Sequence, residues 1–145
     1  MACIDMDDRG KSCCPTVLCI DDNWEVLKLE KLILEAAGYT VLLASDGTEG
    51  MNLAKRCSID LVVLDHEMPR MTGTEVAEHL RSIQPSLPII MVSGLGFREG
   101  SSRTVNCFIP KPKMVMSLVR EVNLLLDNKR RGDVNSRAGS SKSGD

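Results

Sequence analysis

The stretch LVVLDHEMPRMTG, residues 61–73, decides the fold of this chain. Four consecutive apolar residues lead directly into Asp65, and Pro69 and Gly73 then interrupt the chain. A continuous apolar run of this length is typical of a strand that is buried on both faces, as in a parallel sheet covered by helices. The breakers after it predict a loop that leads into the next helix.

Four other short apolar runs repeat this pattern. They are VLCI (17–20), TVLLA (40–44), IIMV (89–92) and CFI (107–109). Stretches with apolar residues at helical spacing lie between or after the runs, at 23–37, 48–56, 74–83 and 113–126. Five buried strands that alternate with helices predict an α/β protein with a mostly parallel sheet.

The first and last of these helical stretches carry apolar faces that can cover the sheet. In the stretch 23–37, apolar residues recur at the spacing of one helix face, at Val26, Leu29, Ile33 and Ala36 or Ala37. The last helix is predicted to run from about Lys113 to Leu126, because the residues after it offer almost nothing to bury.

The connection between the fourth and fifth strands departs from the pattern. Residues 94–106, GLGFREGSSRTVN, contain three glycines. Each glycine in a helix interior costs roughly 1 kcal/mol relative to alanine. We therefore predict that the fourth helix of the fold is short, distorted or missing.

Composition and charge limit the classes of protein to consider. The 145 residues are 43% hydrophobic and 26% charged, as expected for about one globular domain. A net charge of −2 gives no electrostatic argument for a nucleic acid or an anionic membrane as partner. No apolar run approaches the ~20 residues that span a bilayer, and the polar start lacks the apolar core of a signal peptide. We expect a cytoplasmic protein with no nucleic-acid and no membrane partner.

Polar side chains follow four of the predicted strands. Asp21 and Asp22 follow the first, Asp65 the third, Ser93 the fourth and Lys111 the fifth. Ligand sites of parallel α/β sheets lie at the carboxyl ends of the strands, so we expect these side chains to meet.

Three carboxylates at one site repel one another, by on the order of 4 kcal/mol per pair at ~4 Å and an effective dielectric of ~20. Either a proton or a divalent cation must relieve this repulsion, and oxygen ligands with room for water favour Mg²⁺. A cation with the Lys111 ammonium opposite makes a pocket for a phosphoryl group, which an aspartate could receive as nucleophile. The Ser93 hydroxyl could hydrogen-bond a phosphoryl oxygen.

This constellation resembles the receiver domain of bacterial two-component response regulators. The matching motifs are CIDDN (19–23), LVVLDHEMPRMTG (61–73), IIMVSG (89–94) and FIPKP (108–112). The resemblance implies a flavodoxin-like, doubly wound, five-stranded parallel sheet with strand order 2-1-3-4-5. It covers the receiver domain, roughly residues 16–126. The polar, aperiodic residues 1–15 predict a disordered arm, and residues 127–145, with almost nothing to bury, predict a disordered tail.

The resemblance assigns roles to the residues at the strand ends. Asp65 would be the phosphoacceptor. Asp22, Asp65 and the backbone carbonyl of Glu67 would bind Mg²⁺ directly, and Asp21 would bind it mainly through water.

The same resemblance implies a switch. Lys111 would contact the phosphoryl group, Ser93 would be the switch hydroxyl and Phe108 the switch aromatic. The donor would be a phosphohistidine of a sensor histidine kinase or phosphotransfer protein, and the output a contact with an unknown downstream protein. The chain would not be an enzyme beyond catalysing its own phosphorylation and dephosphorylation.

Three other functions remain to be weighed. An aspartate-nucleophile phosphatase would use Glu67, two residues after Asp65, as acid and base, but that class places its nucleophile after the first strand. A binding-only pseudo-receiver would carry no phosphate, although here every acid and the lysine are present. The chain could also be the receiver fragment of a larger regulator or hybrid kinase.

Overall fold

Five parallel strands of the described chain form one sheet. The structure, a computed structural model, describes residues 14–94 and 105–138, with side chains as far as residue 128 except that of Pro112. The strands are β1 (Thr16–Ile20), β2 (Thr40–Ala44), β3 (Leu61–Asp65), β4 (Ile89–Ser93) and β5 (Cys107–Pro110). They lie in the order β2-β1-β3-β4-β5, and each neighbouring pair is parallel. The predicted fold class and strand order are confirmed.

Four α-helices occur within the described ranges. They are α1 (Trp24–Ala36), α2 (Gly47–Arg56), α3 (Gly73–Ile83) and α4 (Met114–Ala138), the last preceded by a 3-10 turn at Lys111–Lys113.

Polar side chains fix the starts of the two helices that follow the acidic loops. The Asn23 side chain accepts the backbone N–H of Glu25 at 2.9 Å, which caps α1. Thr72 and Glu75 form a reciprocal capping box at the start of α3. These caps satisfy backbone N–H groups that a helix start leaves without partners, and they fix where the loops after β1 and β3 end.

The sheet separates two apolar clusters, as a doubly wound fold requires. Alternate residues of each central strand point to opposite faces, so that both faces of β1 and β3 are buried. Val17 and Val63 belong to the cluster under α1 and α4, whereas Leu18 and Leu64 belong to the cluster under α2 and α3. Burial on both faces explains the continuous apolar runs of the sequence.

The inner face of α1 differs from the predicted one by one position. Its buried residues are Leu27, Glu30 and Leu34, whereas Leu29 is exposed. Both sets have helical spacing, and a carboxylate in the middle of the true face makes that face look polar in the sequence.

Helix α4 extends beyond the predicted end at Leu126, which is the last buried residue among those of α4 whose side chains are described. It continues to Ala138, so the structure differs from the predicted disordered tail over 127–138. A helix that has already formed gains one hydrogen bond for each added residue, and the lysine and arginines of 129–131 are good helix formers. No helix in the described ranges is long and apolar enough to cross a membrane.

Three predictions concern residues outside the described ranges, one of them the disordered tail over residues 139–145. Another is the disordered arm, of which residues 1–13 are not described. The third is the short or missing helix between β4 and β5, where the structure does not describe residues 95–104.

Candidate functional site

Three aspartates converge at the carboxyl edge of the sheet. Asp21 and Asp22 follow β1, Asp65 ends β3, and the register of these two strands pairs Ile20 with Leu64. Oxygen atoms of the three carboxylates all lie within 4.8 Å of one another. Asp21 and Asp65 are buried and Asp22 is exposed. The predicted meeting of these acids is therefore found in the structure.

Burial makes the ionised form of this acidic cluster costly. The pKa of Asp21 is raised to about 6, chiefly by burial. The hydrogen bond from the Asn23 backbone lowers this pKa, and the charge of Asp65 raises it. Burial also raises the pKa of Asp65, although Lys111 opposes it. Asp21 Oδ1 accepts the Asn23 N–H at 2.8 Å, whereas the buried Asp21 Oδ2 has no hydrogen-bond partner among the described residues. Three carboxylates with unused lone pairs fit a hard divalent cation such as Mg²⁺.

Lys111 supplies the positive charge of the site. It begins the 3-10 turn after β5, and its Nζ lies 3.0 Å from Asp65 Oδ1. Partial burial lowers the pKa of Lys111, but the hydrogen bond and charge of Asp65 outweigh it, and the pKa is raised. Lys111 is therefore held as an ammonium next to the carboxylate that the sequence marks as acceptor.

Ser93, the last residue of β4, hydrogen-bonds a side chain of the loop after β3. Its hydroxyl donates to Glu67 Oε2 at 2.7 Å, and the backbone N–H of Gly94 donates to Glu67 Oε1 at 3.0 Å. Burial raises the pKa of Glu67, but these two hydrogen bonds outweigh it and the pKa is lowered. The Glu67 side chain is therefore held as a carboxylate beside Ser93 and Gly94.

Phe108 lies on β5 opposite Met91 of β4. It is half-buried and packs against the apolar cluster under α2 and α3. Ser93 ends the neighbouring strand, so the two residues with predicted switch roles lie on adjacent strands.

The acidic cluster is open to solvent on the side of Asp22. A pocket of about 420 Å³ lies there between the loops after β2 and β3, with Asp22, Ser45 and Arg70 in its wall. Of the three acids of the cluster, Asp22 lines this pocket.

The family model of the response regulator receiver domain matches residues 17–123. The chain belongs to this family. Receiver domains are the phosphoacceptor switches of two-component signalling, and the family decides against the aspartate-nucleophile phosphatase. In this receiver Asp65 ends the third strand of the chain.

Curated relatives of this receiver are longer proteins. The response regulator MprA of Mycobacterium leprae is 33% identical over 117 residues, which are 76% of this chain and 50% of that protein. The transcriptional regulatory protein GlrR of Escherichia coli K12 is 35% identical over 80 residues, which are 55% of this chain and 18% of that protein. The chain thus spans about half of MprA and less than a fifth of GlrR.

Solved receiver domains share its fold along nearly their whole length. The CheY-like receiver domain protein of Methanospirillum hungatei has a TM-score of 0.77 at 28% identity, covering 82% of this chain and 98% of that one. The response regulator TrrA of Thermotoga maritima, solved in complex with Mg²⁺ and BeF, has a TM-score of 0.72 at 29% identity, covering 77% and 98%.

The sequence identified most of this receiver's site but missed one side chain. Asp21, Asp22, Asp65 and Lys111 meet as expected, because each follows a parallel strand. The carboxylate of Glu67 was not expected to bond the Ser93 hydroxyl. Its position two residues after the acceptor was the available signal, but a loop has no periodicity from which a side-chain direction could be predicted.

Proposed function

We propose that this receiver takes a phosphoryl group on Asp65 from the phosphohistidine of a sensor histidine kinase or phosphotransfer protein, with Mg²⁺ as cofactor. One observation carries the proposal: Lys111 Nζ lies 3.0 Å from Asp65 Oδ1, inside a cluster of carboxylates within 4.8 Å of one another. A structural ion pair alone does not explain why two more aspartates lie beside it.

The residues of the site divide the chemistry among them. An Asp65 oxygen attacks the phosphorus atom, the bond from phosphorus to the imidazole nitrogen breaks, and the electron pair leaves with the imidazole. Mg²⁺, when bound, offsets the negative charge of the acids and of the phosphoryl oxygens. Asp22, Asp65 and the Glu67 backbone carbonyl would hold it directly, with Asp21 acting mainly through water. Lys111 neutralises charge on the phosphoryl oxygens.

The modification then changes the surface of the domain. A phosphoryl group adds about −1.5 to −2 charges to an already acidic site. Ser93 and Lys111 move toward it, and Phe108 turns into the space that Ser93 leaves. To shift a population from 1:99 to 99:1, the modification must favour the active state by about 5.5 kcal/mol. New charge-assisted hydrogen bonds from Ser93 and Lys111 contribute to this difference.

The net charge of the chain bears on its location and on its partners. We place the receiver in the cytoplasm, where it acts on a downstream protein and binds neither nucleic acid nor membrane. The net charge of −2 supports this, although the relative GlrR is a transcriptional regulatory protein. The chain catalyses only its own phosphorylation and dephosphorylation. Whether it acts alone or as part of a larger regulator or hybrid kinase does not alter the chemistry at Asp65.

Intact-mass measurement after incubation with acetyl phosphate tests the function. The wild type should gain one phosphoryl group only with Mg²⁺, and Asp65→Asn should gain none. Asp127→Asn, the same change at an exposed aspartate of α4, should behave as the wild type. If the wild type gained no mass under conditions that modify another receiver, and a histidine kinase also failed to modify it, the binding-only pseudo-receiver would be the better description.

A further inference from the structure

The Glu67 carboxylate collects donors from two neighbouring strand ends. Its Oε2 accepts the Ser93 hydroxyl at 2.7 Å, and both of its oxygens accept the Gly94 backbone N–H, at 3.0 and 3.2 Å. Lys111 Nζ lies 3.8 Å from Oε1. A hydroxyl, a backbone N–H and an ammonium around one anion are the donor types that proteins use to bind phosphoryl oxygens.

One of these donors, Lys111, also contacts the acceptor carboxylate. Lys111 Nζ lies between two carboxylates, 3.0 Å from Asp65 Oδ1 and 3.8 Å from Glu67 Oε1. A phosphoryl group on Asp65 would therefore compete with Glu67 for Lys111 and, in the proposed switch, for the Ser93 hydroxyl that Glu67 now accepts. Glu67 and the phosphoryl group are both anions and repel each other, which favours one of them at these donors at a time.

Gly94, the first residue after β4, leaves room for this contact. A Cβ added at Gly94 would lie 3.3 Å from Glu67 Oε1, closer than an ordinary contact. Glycine at this position therefore lets the carboxylate reach the backbone N–H. The Glu67 side chain is 44% exposed, so it has solvent into which it can swing when it is displaced.

We propose that Glu67 is a displaceable internal anion that occupies Ser93, Gly94 and Lys111 in the unphosphorylated receiver and must leave when Asp65 carries phosphate. Glu67 is thus a positioning residue, because it acts through the groups that it holds. The displacement of Glu67 by phosphate rests on the proposed phosphoacceptor function. The contact itself can be tested without any phosphate.

Amide hydrogen exchange at Gly94 tests the contact. Loss of the charge-assisted hydrogen bonds in Glu67→Ala should raise the exchange rate of the Gly94 N–H about tenfold, with a smaller rise in Glu67→Gln, which keeps one acceptor oxygen. Glu78→Gln removes the same charge from an exposed position of α3 and should leave the rate unchanged. An unchanged Gly94 rate in both Glu67 variants would overturn the proposal.

Titration with beryllofluoride, a phosphoryl analogue, in the presence of Mg²⁺ tests the displacement. Glu67→Gln removes a competing anion and should therefore bind beryllofluoride about ten times more tightly than the wild type. In the Ser93→Ala background the same substitution should have a much smaller effect, because the Ser93 hydroxyl for which the two anions compete is then absent. Glu78→Gln, the matched control on α3, should bind beryllofluoride as the wild type does.

The two measurements separate the possible failures. Equal beryllofluoride affinity in the wild type and Glu67→Gln would overturn the displacement. If none of the proteins bound beryllofluoride, the proposed phosphoacceptor function would fail and the displacement with it, whereas the Gly94 exchange rates would still decide whether the contact exists.

Discussion

Replacing Glu30 with leucine should stabilise this receiver at neutral and alkaline pH. Glu30 lies on the inner face of α1 with 1% of its surface exposed, and its Oε1 has no hydrogen-bond partner among the described residues. The pKa of Glu30 is raised to about 8, chiefly by burial and next by the charge of Asp21, whereas a hydrogen bond with Cys19 lowers it. The folded protein therefore holds a proton on Glu30 that the unfolded chain has already lost at neutral pH.

The magnitude follows from linkage between protonation and folding. The usual pKa of a glutamate is 4.5 and the folded value is about 8. Between these two pH values the folded state binds more protons than the unfolded state, so the free energy of unfolding falls as the pH rises. Burying Glu30 costs no such free energy of unfolding below the pKa of the unfolded chain. Above the folded pKa the cost reaches on the order of 4 to 5 kcal/mol, because each pH unit between the two contributes about 1.4 kcal/mol. At pH 7 roughly 3 kcal/mol of it is present.

Urea unfolding of the wild type, Glu30→Leu and Glu30→Gln at about pH 5, 7 and 8.5 measures this penalty. Glu30→Leu should gain about 3 kcal/mol over the wild type at pH 7, and its advantage should grow with pH. Glu30→Gln removes the titration but not the buried polar group, so it should lose the same pH dependence with a smaller gain. A constant difference between Glu30→Leu and the wild type across these pH values would refute the reasoning, as would a less stable Glu30→Leu at pH 8.5.

Three further predictions concern the metal, a close contact and a helix cap. Mg²⁺ at one hundred times its dissociation constant should stabilise the folded wild type by about 2.7 kcal/mol and so raise its melting temperature. In a calorimetric scan, Asp22→Ala should show little of this rise. Gly73→Ala should cost about 1 to 3 kcal/mol in urea unfolding, because the added Cβ would lie 2.6 Å from the backbone oxygen of Asp65; an unchanged unfolding midpoint would contradict this. Thr72→Ala should cost about 1 kcal/mol, since it removes the capping box of α3; Thr74→Ala is the matched control.

The sheet and the acids at its edge could be predicted because both follow from simple rules. A strand buried on both faces must be apolar throughout, so β1, β3 and β4 are visible as uninterrupted runs. Because parallel strands end at the same edge, the first polar residue after each run marks the site. Asp65 and Lys111, far apart in the sequence, are 3.0 Å apart for this reason.

Glu30 and Glu67 could not be predicted for two different reasons. The helical pattern of α1 can be drawn through Val26 and Leu29 or through Leu27 and Glu30, and hydrophobicity favours the wrong choice. Tertiary packing decides the matter, since Leu27 is fully buried and Leu29 is exposed. Glu67 lies in a loop, where the direction of a side chain depends on the partners that the fold brings near, here Ser93 from β4.

The buried carboxyls of this receiver fall into two groups that sequence rules treat alike. Asp21 and Asp65 violate the preference for an uncharged interior at the carboxyl edge of the sheet, where a cation and Lys111 can offset their charge. Local rules are commonly broken at functional sites, because the chemistry requires groups that folding alone would reject. Glu30 breaks the same rule beneath the site, with Cys19 as its hydrogen-bond partner. Since Asp21 raises its pKa, any cation that offsets the charge of Asp21 also eases ionisation of Glu30. The stability of the α1 face is in this way coupled to the state of the acidic cluster.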